Sequence, residues 1–387
     1  MLMMGFVGDL LVNRDDPESA FSRVRDLINT PDILFGNLES AYTDKPVPAP
    51  SAPVILTAPE HNLNAYSAVG FDVLSLANNH ILDVGYEAMM NTRARLREQG
   101  IATCGVGSCL SEAHDPAFVT AGGIRVAFLA YSSVFPMGYE ARFDRAGLAP
   151  VRAYNLWRDA LPNYHAPGML PVESTVPDES DLAYLANDIA RARDQADLVI
   201  TSFHWGDYTR PYHLTDHERR VARFSIDHGA DLVVGHHHHV IRGMEWYKGK
   251  PIMYGLGHFV WDSPRVNYSQ EELERVLAAR DPTGYFARAH YYIAPREGWP
   301  LLPMHEDTRM TVMAWATASR DRVREIGFVP CMLTADGLVH PLSRGCAGRD
   351  EVIRYFKACN RTQGLRGTLM EGSISISGIS ALQVVPD

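Results

Sequence analysis

Short apolar runs alternate along the chain with stretches whose apolar residues recur at three- and four-residue spacing. This rhythm predicts strands alternating with amphipathic helices. Strands are expected over residues 4–8, 33–37, 71–77, 126–131, 198–203 and 232–234, and helices over 19–27, 60–69, 86–99, 181–195 and 216–228. Near-continuous apolar strands belong to parallel sheets covered on both faces, so the predicted class is α/β. Thr215 followed by Glu218 fits a capping box, and Gly229 after His228 fits a left-handed helix stop. Residues 45–53 hold four prolines and read as a surface excursion. Residues 1–387 are taken as a single domain with a motif-bearing core over 4–262. A stretch over 135–177, rich in Pro, Tyr and Arg and without periodicity, is taken as a substrate-side insertion. Residues 318–387 are read as a C-terminal segment packing on the core. Later elements are a helix over 271–279, a strand over 286–293, a further strand, a helix over 350–358 and a β-prone tail over 373–385.

In open α/β sheets, ligands bind beyond the carboxyl ends of the strands. Five of the predicted strands end in polar residues that can act as ligands: Gly8-Asp9, Asn37-Leu38-Glu39, Asn78-Asn79-His80, His204-Trp205-Gly206, and Gly235 followed by His236, His237, His238 and His239. Any one of these fits turn or capping chemistry. Their repetition at five strand ends predicts that they converge on one site. Carboxylate, amide and imidazole donors together suit Mn, Fe or Zn better than Ca or Mg. The donors outnumber what one tetrahedral ion needs, which points to two divalent ions and a hydrolase in which they polarise the substrate and acidify a water. In extended backbone, residues two apart share a face. His237 and His239 are therefore expected to act together, with His236 and His238 turned elsewhere.

Composition narrows the alternatives. A net charge of −10 with scattered arginines excludes a nucleic-acid-binding face. Eight of the 16 histidines fall between His204 and His239, following an apolar strand, so the run is not a tag. His217 and His228 are assigned to helix ends. Five cysteines without a C-x-x-C pair suit a reducing compartment. The apolar stretch over 3–12 is broken by Gly8 and Asp9 and has no basic leader or cleavage site, so the expectation is a cytoplasmic chain without direct membrane insertion.

At these same residues the sequence resembles the CapA family, named for poly-γ-glutamate capsule synthesis, within the calcineurin-like metallophosphoesterase superfamily. The resemblance is carried by Gly8-Asp9, Asn37-Leu38-Glu39, Ala77-Asn78-Asn79-His80 with Asp83 and Gly85, His204-Trp205-Gly206, the four-histidine run after Gly235, and Tyr254 to Phe259. It implies a metallophosphatase-like, four-layer αββα sandwich with a dinuclear centre. Asp9 would hold one metal and Glu39 would bridge both. Asn79, His204 and His237 would hold the second metal, and His239 the first. His80 would protonate a leaving group or stabilise negative charge, with Asp83 orienting it. Asn37, Asp207, His238, His258 and Arg210 are candidates for substrate contact or support of the ligands. The chain departs from the family pattern at several points. Leu11 stands where superfamily phosphatases usually carry histidine, His238 replaces a proline, His258 replaces an asparagine, and Asp207 directly follows the Trp-Gly pair.

The function expected is a metal-dependent hydrolase acting on a phosphoester or similar anionic substrate, either a small molecule or an oligomer. A second possibility is amide or γ-glutamyl chemistry in polyglutamate biosynthesis. A third is a non-catalytic accessory role in capsule polymer assembly.

Overall fold

The structure, a computed structural model, describes residues 1–52, 54–161, 163–165, 167–263, 297–299, 301–302 and 304–387. The helix expected over 271–279 and the strand over 286–293 lie outside the described residues. Seven strands position the site: β1 (Leu2–Leu11), β2 (Ile33–Leu38), β3 (Val73–Ser75), β4 (Ile124–Ser132), β5 (Leu198–His204), β6 (Leu232–His236) and β7 (His258–Trp261).

These strands divide between two sheets. In the larger sheet β1, β2 and β3 run parallel and continue into Ala102–Cys104. The other edge of β1 is shared. Leu2 to Phe6 pair antiparallel with Met310–Ser319, and from Asp9 onward β7 takes over in parallel register. In the second sheet β5 lies between β4 and β6, all parallel. The parallel pairing expected from the strand rhythm is found in these strands, and antiparallel strands join them at the margins. Ala117–Ala121 and Met244–Tyr247 pair antiparallel at the edges of the second sheet. Two long strands, Met310–Ser319 and Arg322–Leu333, extend the first sheet antiparallel, followed by the hairpin Thr368–Ile376 with Ile379–Val385.

Side chains alternate along each strand, and both faces are buried, which is why the strands read as unbroken apolar runs. Met4, Phe6, Ile33 and Phe35 face the second sheet, where Val126, Phe128, Leu198, Ile200 and Val234 meet them. The rings of Phe35 and Phe128 stack across this seam, centroids 5.4 Å apart and 8° from parallel. The opposite faces carry helices. Met89 and Leu96 of α1 (Gly85–Glu98) pack with Leu34, Leu38 and Leu74. Leu185 and Ile189 of α2 (Glu179–Arg193), with Val221 and Ile226 of α3 (Asp216–Asp227), cover Val199, Phe203 and Val233. At about 1.5–3 kcal/mol for each large apolar side chain removed from water, these clusters supply the main favourable term in folding. A fourth helix, α4 (Ala347–Gln363), sets Phe356 against Phe328 with ring centroids 4.8 Å apart.

The 135–177 stretch is not wholly irregular. Ala153–Arg158 and Val172–Pro177 form an antiparallel ribbon that leaves Tyr154, Leu156 and Trp157 exposed. Among the described residues, no helix is long and apolar enough to cross a membrane.

Candidate metal centre

The polar ends of the strands meet at one end of the seam between the sheets. Asp9 lies in β1, Glu39 follows β2, Asn79 follows β3, His204 ends β5, and His237 and His239 follow β6. Asp9, Glu39, His204, His237, His239 and His258 are all at least 95% buried. Two glycines let the strands approach closely. A Cβ at Gly8 would overlap the Gly257 carbonyl oxygen, and one at Gly235 would overlap that of Tyr254.

His237 and His239 come together by a route other than the expected one. Strand β6 ends at His236, and His237 and His239 have φ of 91° and 58°. Left-handed backbone is costly for residues other than glycine and concentrates at functional sites. A pair of left-handed turns, rather than the two-residue repeat of a strand, therefore sets their ring centroids 5.6 Å apart.

Two groups of ligand atoms can be distinguished. His204 Nε2 lies 2.6 Å from Asn79 Oδ1, 3.1 Å from His237 Nδ1 and 3.6 Å from Glu39 Oε1. His239 Nδ1 lies 3.3 Å from Asp9 Oδ2, and its Nε2 is 3.9 Å from Glu39 Oε1. Glu39 therefore stands between the two groups. Asn37 supports them, donating to Asp9 Oδ1 at 2.9 Å. Asn78 in turn donates to Asn37 Oδ1 at 3.3 Å and to the Leu38 carbonyl at 2.7 Å.

Electrostatics single out the same residues. Burial opposes ionisation of Asp9, but His239, His204 and His236 around it hold its pKa well below the ordinary range. Burial and the neighbouring Asp9 push Glu39 well above its ordinary value. Burial and adjacent imidazoles push His204 and His237 well down, which keeps them in the neutral form that coordinates metals. Both carboxylate oxygens of Glu39 are buried without a hydrogen-bond partner. Buried polar groups are normally paired, and a cation between these donors would satisfy them and favour the Glu39 anion. Ligand atoms in three such sets, Asp9/His239/His258, Glu39/His237/His239 and Asp9/Glu39/His204, lie within 4.8 Å of one another. The residues can therefore hold metal, and their mixed oxygen and nitrogen donors suit Mn, Fe or Zn.

His80 stands beside this cluster. Its Nδ1 meets Asp83 Oδ2 at 2.7 Å, while Asp83 also accepts from the Leu56 N–H at 2.9 Å and the Tyr139 hydroxyl at 3.0 Å. The ring is thus held through Nδ1, leaving Nε2 for another partner.

Other candidates lie elsewhere. His238 turns away from the cluster to meet Glu218 Oε1 of α3 at 2.8 Å. Glu218 also completes the capping box with Thr215. Asp207 accepts from Thr209 and from Arg210 Nε at 2.5 Å, and Arg210 also reaches Glu173. Among the arginines of the 135–177 stretch, Arg142 and Arg145 pair with Glu140, and Arg152 pairs with Asp181. Sequence reasoning misses Tyr139, Tyr208 and Trp261. Tyr208 approaches the rings of His237 and His239, and Trp261 stacks on His258 at 4.0 Å. None of the three sits in a motif; Trp261 has only its spacing from His258 to mark it.

Comparison with known proteins follows the same residues. The model of the family described as "Bacterial capsule synthesis protein PGA_cap" matches residues 3–263. The chain belongs to this family. It is 27% identical over 297 residues to the PGA biosynthesis protein CapA of Bacillus subtilis strain 168, covering 74% of this chain and 70% of that one. It is 34% identical over 235 residues to a probable polyglutamine synthesis accessory protein of Mycobacterium tuberculosis, covering 60% and 56% of the two chains. Against a solved structure of a hypothetical protein from Thermus thermophilus, the TM-score is 0.45 at 14% identity, covering 85% of this chain and 98% of that one. The family match spans every strand end described above and stops just beyond β7.

Proposed function

We propose that this PGA_cap-family protein is a dinuclear metal-dependent hydrolase acting on an anionic substrate. The observation that carries the reading is the buried ligand cluster drawn from both sheets, in which neither oxygen of Glu39 accepts a hydrogen bond. The two packed sheets with helices on their outer faces fit the four-layer αββα arrangement of metallophosphatases. Two divalent ions, when bound, supply Lewis-acid polarisation and acidify a water.

The chain's own residues do the rest. Asp9 and His239 would hold one ion, Asn79, His204 and His237 the other, and Glu39 both. Asn37 fixes the Asp9 carboxylate, and Asn78 fixes Asn37. His80 presents Nε2 while Asp83 holds Nδ1, the arrangement needed to deliver a proton to a leaving group. The names of the relatives favour a second reading of the bond, an amide of a γ-glutamyl polymer; the same centre can activate water against a carbonyl. A cytoplasmic location belongs to the proposal and is supported by the five free cysteines.

The test pairs metal analysis by mass spectrometry with product analysis. Purified protein should carry about two equivalents of Mn, Fe or Zn and cleave a phosphomonoester, a phosphodiester or γ-glutamyl oligomers; Glu39→Ala should lose both properties. Negligible metal in the wild type, with no cleavage of any panel member, would leave the accessory reading.

A further inference from the structure

The mutual position of β1 and β7 adds a residue to the centre. In their parallel register Asp9 lies opposite His258, and the Asp9 N–H donates to the Gly257 carbonyl at 3.0 Å. The absence of a side chain at Gly8 permits this approach, and Gly257 supplies the left-handed turn that enters β7. His258 is completely buried, and its Nε2 lies 2.6 Å from His239 Nδ1, the atom that also faces Asp9 Oδ2. Trp261 stacks against the imidazole at 20° and fixes its plane. At the position two residues after Asp9, Leu11 packs with Leu56, Trp261 and Leu333 in a small apolar cluster, so β1 itself offers no further donor on this side.

We infer that His258 is a ligand of the metal held by Asp9 and His239. This rests on the metal reading above and deepens it. With His258 included, the donors divide evenly: Asp9, Glu39, His239 and His258 around one ion, and Glu39, Asn79, His204 and His237 around the other. Two imidazoles and two carboxylates meet at the first position, a donor set that suits Zn, Fe or Mn. The nitrogen comes from the neighbouring strand because the parallel register places residue 258 beside residue 9.

The test counts coordinated imidazoles directly. In wild-type protein labelled with 15N-histidine and loaded with 113Cd, scalar coupling to cadmium should split four imidazole nitrogens. Three split nitrogens, with His258 unsplit, would overturn the inference while leaving the metal centre intact; no bound cadmium at all would overturn the metal reading itself. The second measurement uses His258→Phe, which keeps the ring stacked on Trp261 but removes both nitrogens. Titrated with Mn(II), the wild type should bind two equivalents. The variant should bind one with unchanged affinity and the other at least 100-fold more weakly. Two equivalents of unchanged affinity in a folded variant would rule His258 out as a ligand. The wild-type coupling pattern decides the matter even if the variant fails to fold.

Discussion

Asp83 is a single carboxylate with three claims on it: the His80 ring, the Leu56 amide and the Tyr139 hydroxyl. It sets which imidazole nitrogen carries the proton without touching the ligand cluster. Asp83→Asn should therefore lower kcat about 100-fold on whichever panel substrate turns over, with metal content unchanged. Loss of metal in that variant would instead make Asp83 part of the ligand set. At this scale the sequence was informative where a polar residue ended an apolar run, because such a stop marks a strand's carboxyl end. It was silent on Tyr139, which reaches Asp83 from 56 positions away, a meeting only the tertiary path of the chain creates. His238 and His258, the two histidines that depart from the family pattern, are each candidates for substrate contact or support of the ligands. Structure separates them: His238 serves α3, whereas His258 faces Asp9 across paired strands.

The start of α3 is the element whose chemistry is most fully accounted for. Burial opposes charge on Glu218, but His238, His217 and the Thr215 N–H outweigh it and lower its pKa to about 2, from an ordinary 4.5. A depressed carboxylate pKa stabilises the fold fully above the unfolded value, and that contribution is lost as pH falls through the folded one. Glu218→Gln should thus reduce the free energy of unfolding at pH 7 by about 2 kcal/mol, and the gap from wild type should close between pH 4.5 and 2. Urea titrations across that range check it; a gap constant with pH would show that shape rather than charge matters there. The capping box itself was legible, since its two residues are local in sequence. The long antiparallel strands from Met310 to Leu333 were not, because their alternation is hidden by burial on both faces and their partner, β1, begins some 300 positions earlier. Nor could the turns at His237 and His239 be read: nothing in a run of identical residues signals left-handed backbone.

For the molecule as a whole, the seam between the sheets is the decisive feature. Asp9, Glu39, Asn79 and His258 lie in or just after strands of one sheet, and His204, His237 and His239 in or just after strands of the other. A cation held by both binds only the folded chain, so at a free concentration 100 times Kd it would add about 2.7 kcal/mol to stability. The melting temperature should climb with added Mn or Zn and drop on chelation, which differential scanning fluorimetry can follow. A melting temperature indifferent to both would mean that the ligands do not join the sheets through metal. Parallel strands covered on both faces could be anticipated from the strand and helix rhythm alone, but not that the sheets would shield each other's inner faces.

The shared edge of β1 also bears on how the protein is made. Its first half is flanked by Met310–Ser319 and its second by β7, so the strand that carries Asp9 has both neighbours only once synthesis has passed residue 319. Until then a nascent chain on the ribosome displays an apolar strand with one edge open. The pocket that gathers the candidate ligands closes late in translation, and on the metal reading proposed above a cation would be taken up as a finishing step in maturation.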